Sequence, residues 1–202
     1  MREISPAVGM SVNEWLAHAP ELKPLVEDIR HQKETGKRLM PSSTLIDRSS
    51  VLTASQRALL LDQVAALADE NYCGRSEMCL QFAALMQKAL TKLGFAAKVA
   101  AGSASYFDDK GKKLYTWEHA WVRVGSEVID GNVDCLAENP AVPKTVRVSP
   151  YWGPITDTPR DRQLKENLGA RSIPPDEDVD GSWWPDLEAW LESNFPAKTS
   201  PV

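Results

Sequence analysis

Long apolar runs are missing from this chain of 202 residues. The two longest apolar stretches, Ala58 to Ala68 and Leu80 to Leu93, are broken by Asp62, Gln63, Gln87 and Lys88, which excludes a membrane-spanning helix. The first residues, Met1 to Pro20, carry charges and proline where a cleavable leader needs an unbroken apolar segment, so the chain is expected to be cytoplasmic and unprocessed. Excess positive charge is missing too. Against 23 Lys and Arg stand 28 Asp and Glu, a net charge of −5, and that field repels nucleic acid and anionic lipid, so neither is expected as a partner. The three cysteines are an odd number, with no repeated Cys-x-x-Cys and no His pair at zinc spacing, so no disulfide framework, metal or other cofactor is expected. There is no internal repeat. With 43% hydrophobic and 25% charged residues the composition excludes collagen-like, coiled-coil and disordered classes, and a chain of this length can bury about 70% of its unfolded surface without covalent staples.

What is present is a change of period along the chain. Ser11 to Glu14 has the spacing of a helix capping box and is followed by Trp15 and Leu16; Leu22, Leu25, Val26 and Ile29 then recur at helical spacing. Gly36 to Ser50 reads as a connection. Thr53 to Gln56 is a second capping box, opening a helix with an apolar stripe of Leu59, Leu60, Val64, Leu67 and Ala68 that runs to about Asn71. The best-defined helix begins near Cys79, places Cys79, Ala83, Met86, Leu90 and Leu93 on one face, and ends at Gly94.

From there the pattern is extended: Phe95 to Ala101, Ser103 to Phe107, Leu114 to Trp117, His119 to Val124 and Glu127 to Asp130, with turns at Asp108 to Gly111 and at Gly125-Ser126. Helices followed by a run of antiparallel strands predict an α+β fold. Val146 and Val148 are expected in one more strand, Pro150 to Pro175 is expected to be irregular, and Trp183 to Phe195 reads as a terminal helix presenting Trp184, Leu187, Trp190 and Leu191. The acidic run Asp176 to Asp180 reads as a solvated linker. The organisation is then a helical extension over 1–52, a core over 53–150, and an irregular, Trp-rich acidic segment over 151–202 packed on the same domain.

Three side chains could act together. Cys79 opens a buried helix, where unpaired N–H groups and the positive dipole end favour a thiolate; on an apolar face it could equally be a small buried hydrophobe. His119 begins a strand otherwise apolar and aromatic. If Gly125-Ser126 is a two-residue turn, Val124 pairs with Glu127, which places Trp121 opposite Asp130 and His119 opposite Asn132, so either Asp130 or Asn132 can orient the imidazole. Cys73, in Tyr72-Cys-Gly-Arg75, is the rival nucleophile because it precedes a turn. Cys135 reads as structural, and His18 and His31 as surface residues. Trp117 and Trp121 either pack the sheet or shield a thiolate-imidazolium pair from water. The N–H of Cys79 is the first candidate oxyanion donor, and a second is expected from the segment upstream, where Asn71, Tyr72 and Ser76 are available.

These residues also carry a family resemblance. Cys79-Leu-Gln-Phe-Ala83, the helix through Leu90 to Gly94-Phe-Ala-Ala-Lys98, Gly102, His119-Ala-Trp-Val122 and Val128-Ile-Asp130 resemble the core of the transglutaminase-like superfamily over about a quarter of the chain. The residue two before the cysteine is often Gly there and is Glu77 here; the usual basic residue after the Gly-Ile turn is Lys98. The resemblance implies a papain-like architecture with the nucleophile's helix packed on an antiparallel sheet, Cys79 as nucleophile, His119 as general base and acid, and Asp130 as the residue orienting it. The expected function is cysteine-dependent acyl transfer on a protein or peptide, by a peptidase, amidase or transglutaminase-type acyltransferase. The alternatives are an inactive interaction module on the same scaffold, or a toxin or effector domain.

Overall fold

The computed structural model describes residues 16–72, 74–139, 141–167 and 179–195, with only the backbone of 70–72. The capping box at Ser11 to Glu14, Trp15, Cys73 and most of the acidic run lie outside the described residues. A 3-10 turn at Pro20–Leu22 buries Leu22, and the α1 helix that follows (Lys23–Glu34) buries Val26 and Ile29. His18 and His31 are exposed.

Helix α2 (Ala54–Tyr72) starts at a reciprocal cap, in which Thr53 N–H donates to Gln56 Oε1 at 3.0 Å and Gln56 N–H to Thr53 Oγ1 at 3.3 Å. Of its expected stripe Leu60, Val64, Leu67 and Ala68 are buried, joined by Leu61 and Ala65, while Leu59 is 46% exposed. Helix α3 (Cys79–Lys92) ends where Gly94, at φ 89°, lets Phe95 N–H return to the Leu90 carbonyl. A terminal helix α4 (Trp184–Asn194) buries Leu187 and Leu191. Among the described residues no helix is long and apolar enough to cross a membrane.

The strands are β1 (Ile46–Asp47), β2 (Ala97–Phe107), β3 (Lys113–Val124), β4 (Glu127–Asp130), β5 (Tyr151–Pro154) and β6 (Arg162–Glu166), in sheet order β1-β5-β4-β3-β2-β6. The fold is mixed α+β, and the sheet is mixed because β1 pairs parallel with β5 while every other pair is antiparallel. Each pair of stretches expected between Phe95 and Val124 is one continuous strand. The segment beyond Pro150, expected to be irregular, supplies two strands, so the sheet extends past both expected edges of the core, to Ile46 and to Glu166. Val146 and Val148 are buried but belong to no strand: they sit in the connection from β4 to β5 and pack on Ala104 and Tyr106. Their alternation reflects burial rather than pairing.

Side chains alternate between the two sheet faces. Ala120, Val122, Val124 and Ile129 meet Leu61, Phe82, Met86 and Leu90, so α2 and α3 cover one face. The other face is concave. On it β2 presents Ala100, Gly102 and Ala104, opposite Trp121, His119 and Trp117 of β3. A Cβ on Gly102 would lie 2.1 Å from the Lys165 carbonyl oxygen and 2.8 Å from Asn167 N, so glycine there lets β6 fold inward over β2. The curl brings Arg162 of β6 into contact with Asp130 of β4, three places away in the sheet. Gly102→Ala is expected to destabilise the chain by roughly 1–3 kcal/mol in urea unfolding, since a backbone atom rather than a mobile side chain must move; a change within about 0.5 kcal/mol would contradict this role for the glycine.

Candidate active site

Cys79 is the first residue of α3 and half-buried. The turn that delivers it is anchored to the segment after β4. Arg75, 1% exposed, makes paired bonds from Nη1 and Nη2 to Asp134 at 2.8 and 2.6 Å, its carbonyl accepts from Asn132 Nδ2 at 2.9 Å, and its N–H donates to Glu138 at 3.3 Å. Arg38 in turn bridges Glu138 and Asp69. The turn closes when Met78 N–H donates to the Arg75 carbonyl at 3.2 Å. Glu77, one residue earlier, has φ 66°, a left-handed conformation that costs a non-glycine residue roughly 1–2 kcal/mol.

The hairpin register is the one that Gly125-Ser126 predicts, with Val124 paired to Glu127 and Val122 to Ile129. Pairing goes no further. At Gly131 the chain leaves the sheet, and a Cβ there would lie 2.6 Å from the Phe82 ring. The start of α3 therefore occupies the opening between β3 and the departing chain. Asn132, expected opposite His119, is used instead to hold Arg75, so it is not a partner of the imidazole.

His119 Nε2 and Asp130 Oδ1 are 2.8 Å apart, with neither side chain exposed. Asp130 Oδ2 accepts from Arg162 Nη1 at 2.9 Å, again with no exposure on either side. Because Nε2 is engaged, Nδ1 is the free nitrogen of His119; it is buried, with no partner in full hydrogen-bond geometry. Cys79 is its electrostatic neighbour. Burial alone would depress the imidazole, but the Asp130 carboxylate and then Cys79 outweigh it and push His119 up to about 10. For Asp130, burial opposes ionisation, and the charges of His119 and Arg162 overcome it and hold the carboxyl below its ordinary range.

Trp117 stacks on the imidazole, with ring centroids 5.6 Å apart and planes 17° apart, while Trp121 is tilted at 6.2 Å and 38°. Both rings border His119, and Trp121 also packs the sheet against Ala100 and Tyr151. Tyr106, fully buried on the same face, feels the charges of Asp130 and Cys79. Helix α3 has no side-chain cap, and no described backbone carbonyl accepts from the N–H of Cys79 or Leu80, which leaves both as candidate oxyanion donors. Of the other donor candidates, Ser76 Oγ is buried without a partner, and Asn71 and Tyr72 form the last turn of α2. Cys135 is buried, with Sγ donating to the Asn132 carbonyl at 3.3 Å, and burial pushes its thiol well up. Among the described residues no group of three or more His, Cys, Asp or Glu is arranged to hold a metal ion.

Arg162 is the site residue that carries no sequence signal of its own. Its strand, Arg-Gln-Leu-Lys-Glu, alternates inward Arg, Leu and Glu with outward Gln and Lys, and the charges conceal the strand. Tyr106 could have been placed by its parity with Gly102, which faces His119.

No family model and no curated protein matches this chain. A solved crystal structure, that of "genomics APC5867", is similar in fold, with a TM-score of 0.53 at 12% identity over 78% of this chain and 86% of the other.

A raised histidine stabilises the fold fully below its unfolded value of 6.5 and loses that contribution as pH rises through about 10. Unfolding free energy from urea titrations is therefore expected to fall between pH 6.5 and 10 more steeply in the native chain than in His119→Gln. Parallel pH dependences would contradict the buried imidazolium.

Proposed function

We propose that this chain is a cysteine-dependent acyl-transfer enzyme of the transglutaminase-like, papain-like kind, acting on an amide or ester of a protein or peptide. The observation that carries the reading is the arrangement of His119: one ring nitrogen is fixed by a buried carboxylate and the other is unpartnered beside a cysteine at a helix N-terminus. An imidazole held in this way can take the proton of a neighbouring thiol as the sulfur attacks a carbonyl.

In the reaction the Cys79 thiolate attacks the carbonyl carbon, and the negative oxygen that forms is held by the N–H of Cys79, with that of Leu80 as the second donor. The C–N or C–O bond then breaks, and His119 passes the Nδ1 proton to the departing amine or alcohol, leaving a thioester on Cys79. A water or an incoming amine gives its proton back to His119 as it attacks the thioester, and the thiolate leaves. Asp130 keeps Nε2 protonated and the ring turned so that Nδ1 meets the sulfur. Trp117 and Trp121 cover the imidazole on both sides, which limits water near the charged pair.

The superfamily's frequent glycine two residues before the nucleophile has a local counterpart. Glu77 holds the left-handed conformation that glycine adopts easily, with Asn139 Nδ2 donating to its carboxylate, so the approach turn is retained by a side-chain bond.

Labelling by iodoacetamide at mildly acidic pH is expected to fall on Cys79, to vanish in Cys79→Ala with the circular dichroism unchanged, and to slow by roughly 10²-fold or more in His119→Gln. Unchanged labelling in Cys79→Ala together with its loss in Cys73→Ala would move the nucleophile to Cys73. Labelling that is slow and indifferent to His119 would leave a binding module on the same scaffold.

A further inference from the structure

We propose that Arg162 is the positioning residue of this site: by sharing the Asp130 carboxylate with His119, it fixes the carboxylate on the imidazole and weakens that carboxylate's hold on the imidazole proton. The inference rests on the Cys79-His119-Asp130 reading and adds a fourth member to it from a strand remote in sequence.

The geometry assigns one carboxylate oxygen to each cation, Oδ1 to His119 Nε2 at 2.8 Å and Oδ2 to Arg162 Nη1 at 2.9 Å. All three side chains are without solvent exposure, so no water screens either contact. Arg162 cannot swing away from Asp130, because Nη2 also donates to the Ser149 carbonyl and Nε donates to Asp161 Oδ1 at 2.9 Å. The guanidinium is thus bolted to β6 and to the connection ahead of β5, and it presents a single N–H to Asp130.

The chemical consequence follows from charge. An Asp130 facing His119 alone would bind the imidazole proton tightly, and a proton bound tightly is released slowly to a leaving group. The second cation lowers the field that Asp130 exerts on the ring while leaving the hydrogen bond, and the orientation it imposes, in place. The other titratable groups facing this pair are Cys79 from α3, Tyr106 from β2 and Asp161 just ahead of β6. Asp161 is one-third exposed and faces the guanidinium, so it tempers Arg162 rather than His119.

The test is a nuclear magnetic resonance titration of the His119 ring in a Cys79→Ser background, which removes the thiol's influence. The chain has three histidines, and His119 is assigned by its loss in His119→Gln. Arg162→Gln is expected to raise the His119 midpoint by roughly one pH unit or more, as removal of a charge neighbour to its carboxylate requires, and Arg162→Lys to give an intermediate midpoint. A merely structural arginine would lower stability without moving the midpoint, so an unchanged midpoint in folded Arg162→Gln overturns the proposal. Should Arg162→Gln fail to fold, Arg162→Lys decides alone: an upward shift supports the proposal and no shift overturns it. Alkylation of Cys79 in the otherwise native chain is read separately, so loss of the nucleophile reading and loss of this one are distinguishable.

Discussion

A carboxylate sealed from water has to be neutralised from within, and Asp130 is neutralised from two sides, by His119 on β3 and Arg162 on β6. Much of the architecture can be read as what that arrangement requires. Strand β6 must come round far enough for a side chain three strands away to arrive, which demands a sharply curled sheet. The curl in turn demands small residues on the inner face of β2, and glycine at the point of closest approach, Gly102. The connection from β4 to β5 then closes over the concave face, with Val133, Leu136, Val142, Val146 and Val148 excluding water from the far end. Removing both partners of Asp130 would leave a charge stranded in this interior, and breaking a buried pair typically costs about 3–5 kcal/mol, so the two contacts tie the stability of the sheet to the geometry of the site.

A second buried polar network does for the cysteine what Asp130 does for the histidine. Arg75 and Arg38 interlock with Asp69, Asp134 and Glu138, joining the end of α2, the turn before α3 and the segment after β4. Lys33 of α1 donates to the Asp69 carbonyl at 2.9 Å, so the amino-terminal helix is fastened to the same network. The two networks meet where β3 and β4 part. One fixes the imidazole from inside the sheet and the other fixes the turn before Cys79 from outside it, and the separation of thiol and ring depends on both.

How much was legible in the sequence follows from how local each signal is. Gly125-Ser126 determined the register of the hairpin and with it the nearness of His119 and Asp130, Thr53 and Gln56 marked the start of α2, Gly94 marked the end of α3, and the family resemblance joined Cys79 to that pair. Extrapolating the hairpin to Asn132 failed because the chain leaves the sheet at Gly131, packed so closely on Phe82 that no side chain would fit, a contact with a helix fifty residues earlier. On α2 the expected stripe held at Leu60, Val64, Leu67 and Ala68, and only Leu59 was misplaced, since Leu59 and Leu61 are chemically equivalent and only tertiary contact chooses between them. Strand β1 has two residues, β5 contains glycine and proline, and β6 is highly charged; none has the alternation of apolar residues by which a strand is recognised. Arg162 was hidden for that reason, although it completes the buried charge arrangement.

The central claim is that Cys79, His119 and Asp130 form one acyl-transfer unit, and the most direct measurement is mass spectrometry of the chain after brief exposure to an activated ester, followed by peptide mapping. An acyl group on Cys79 is the predicted result, formed at a rate that drops steeply in His119→Gln and Asp130→Asn. Acylation spread evenly over the cysteines, or acylation of Cys79 at the same rate in those variants, would contradict it.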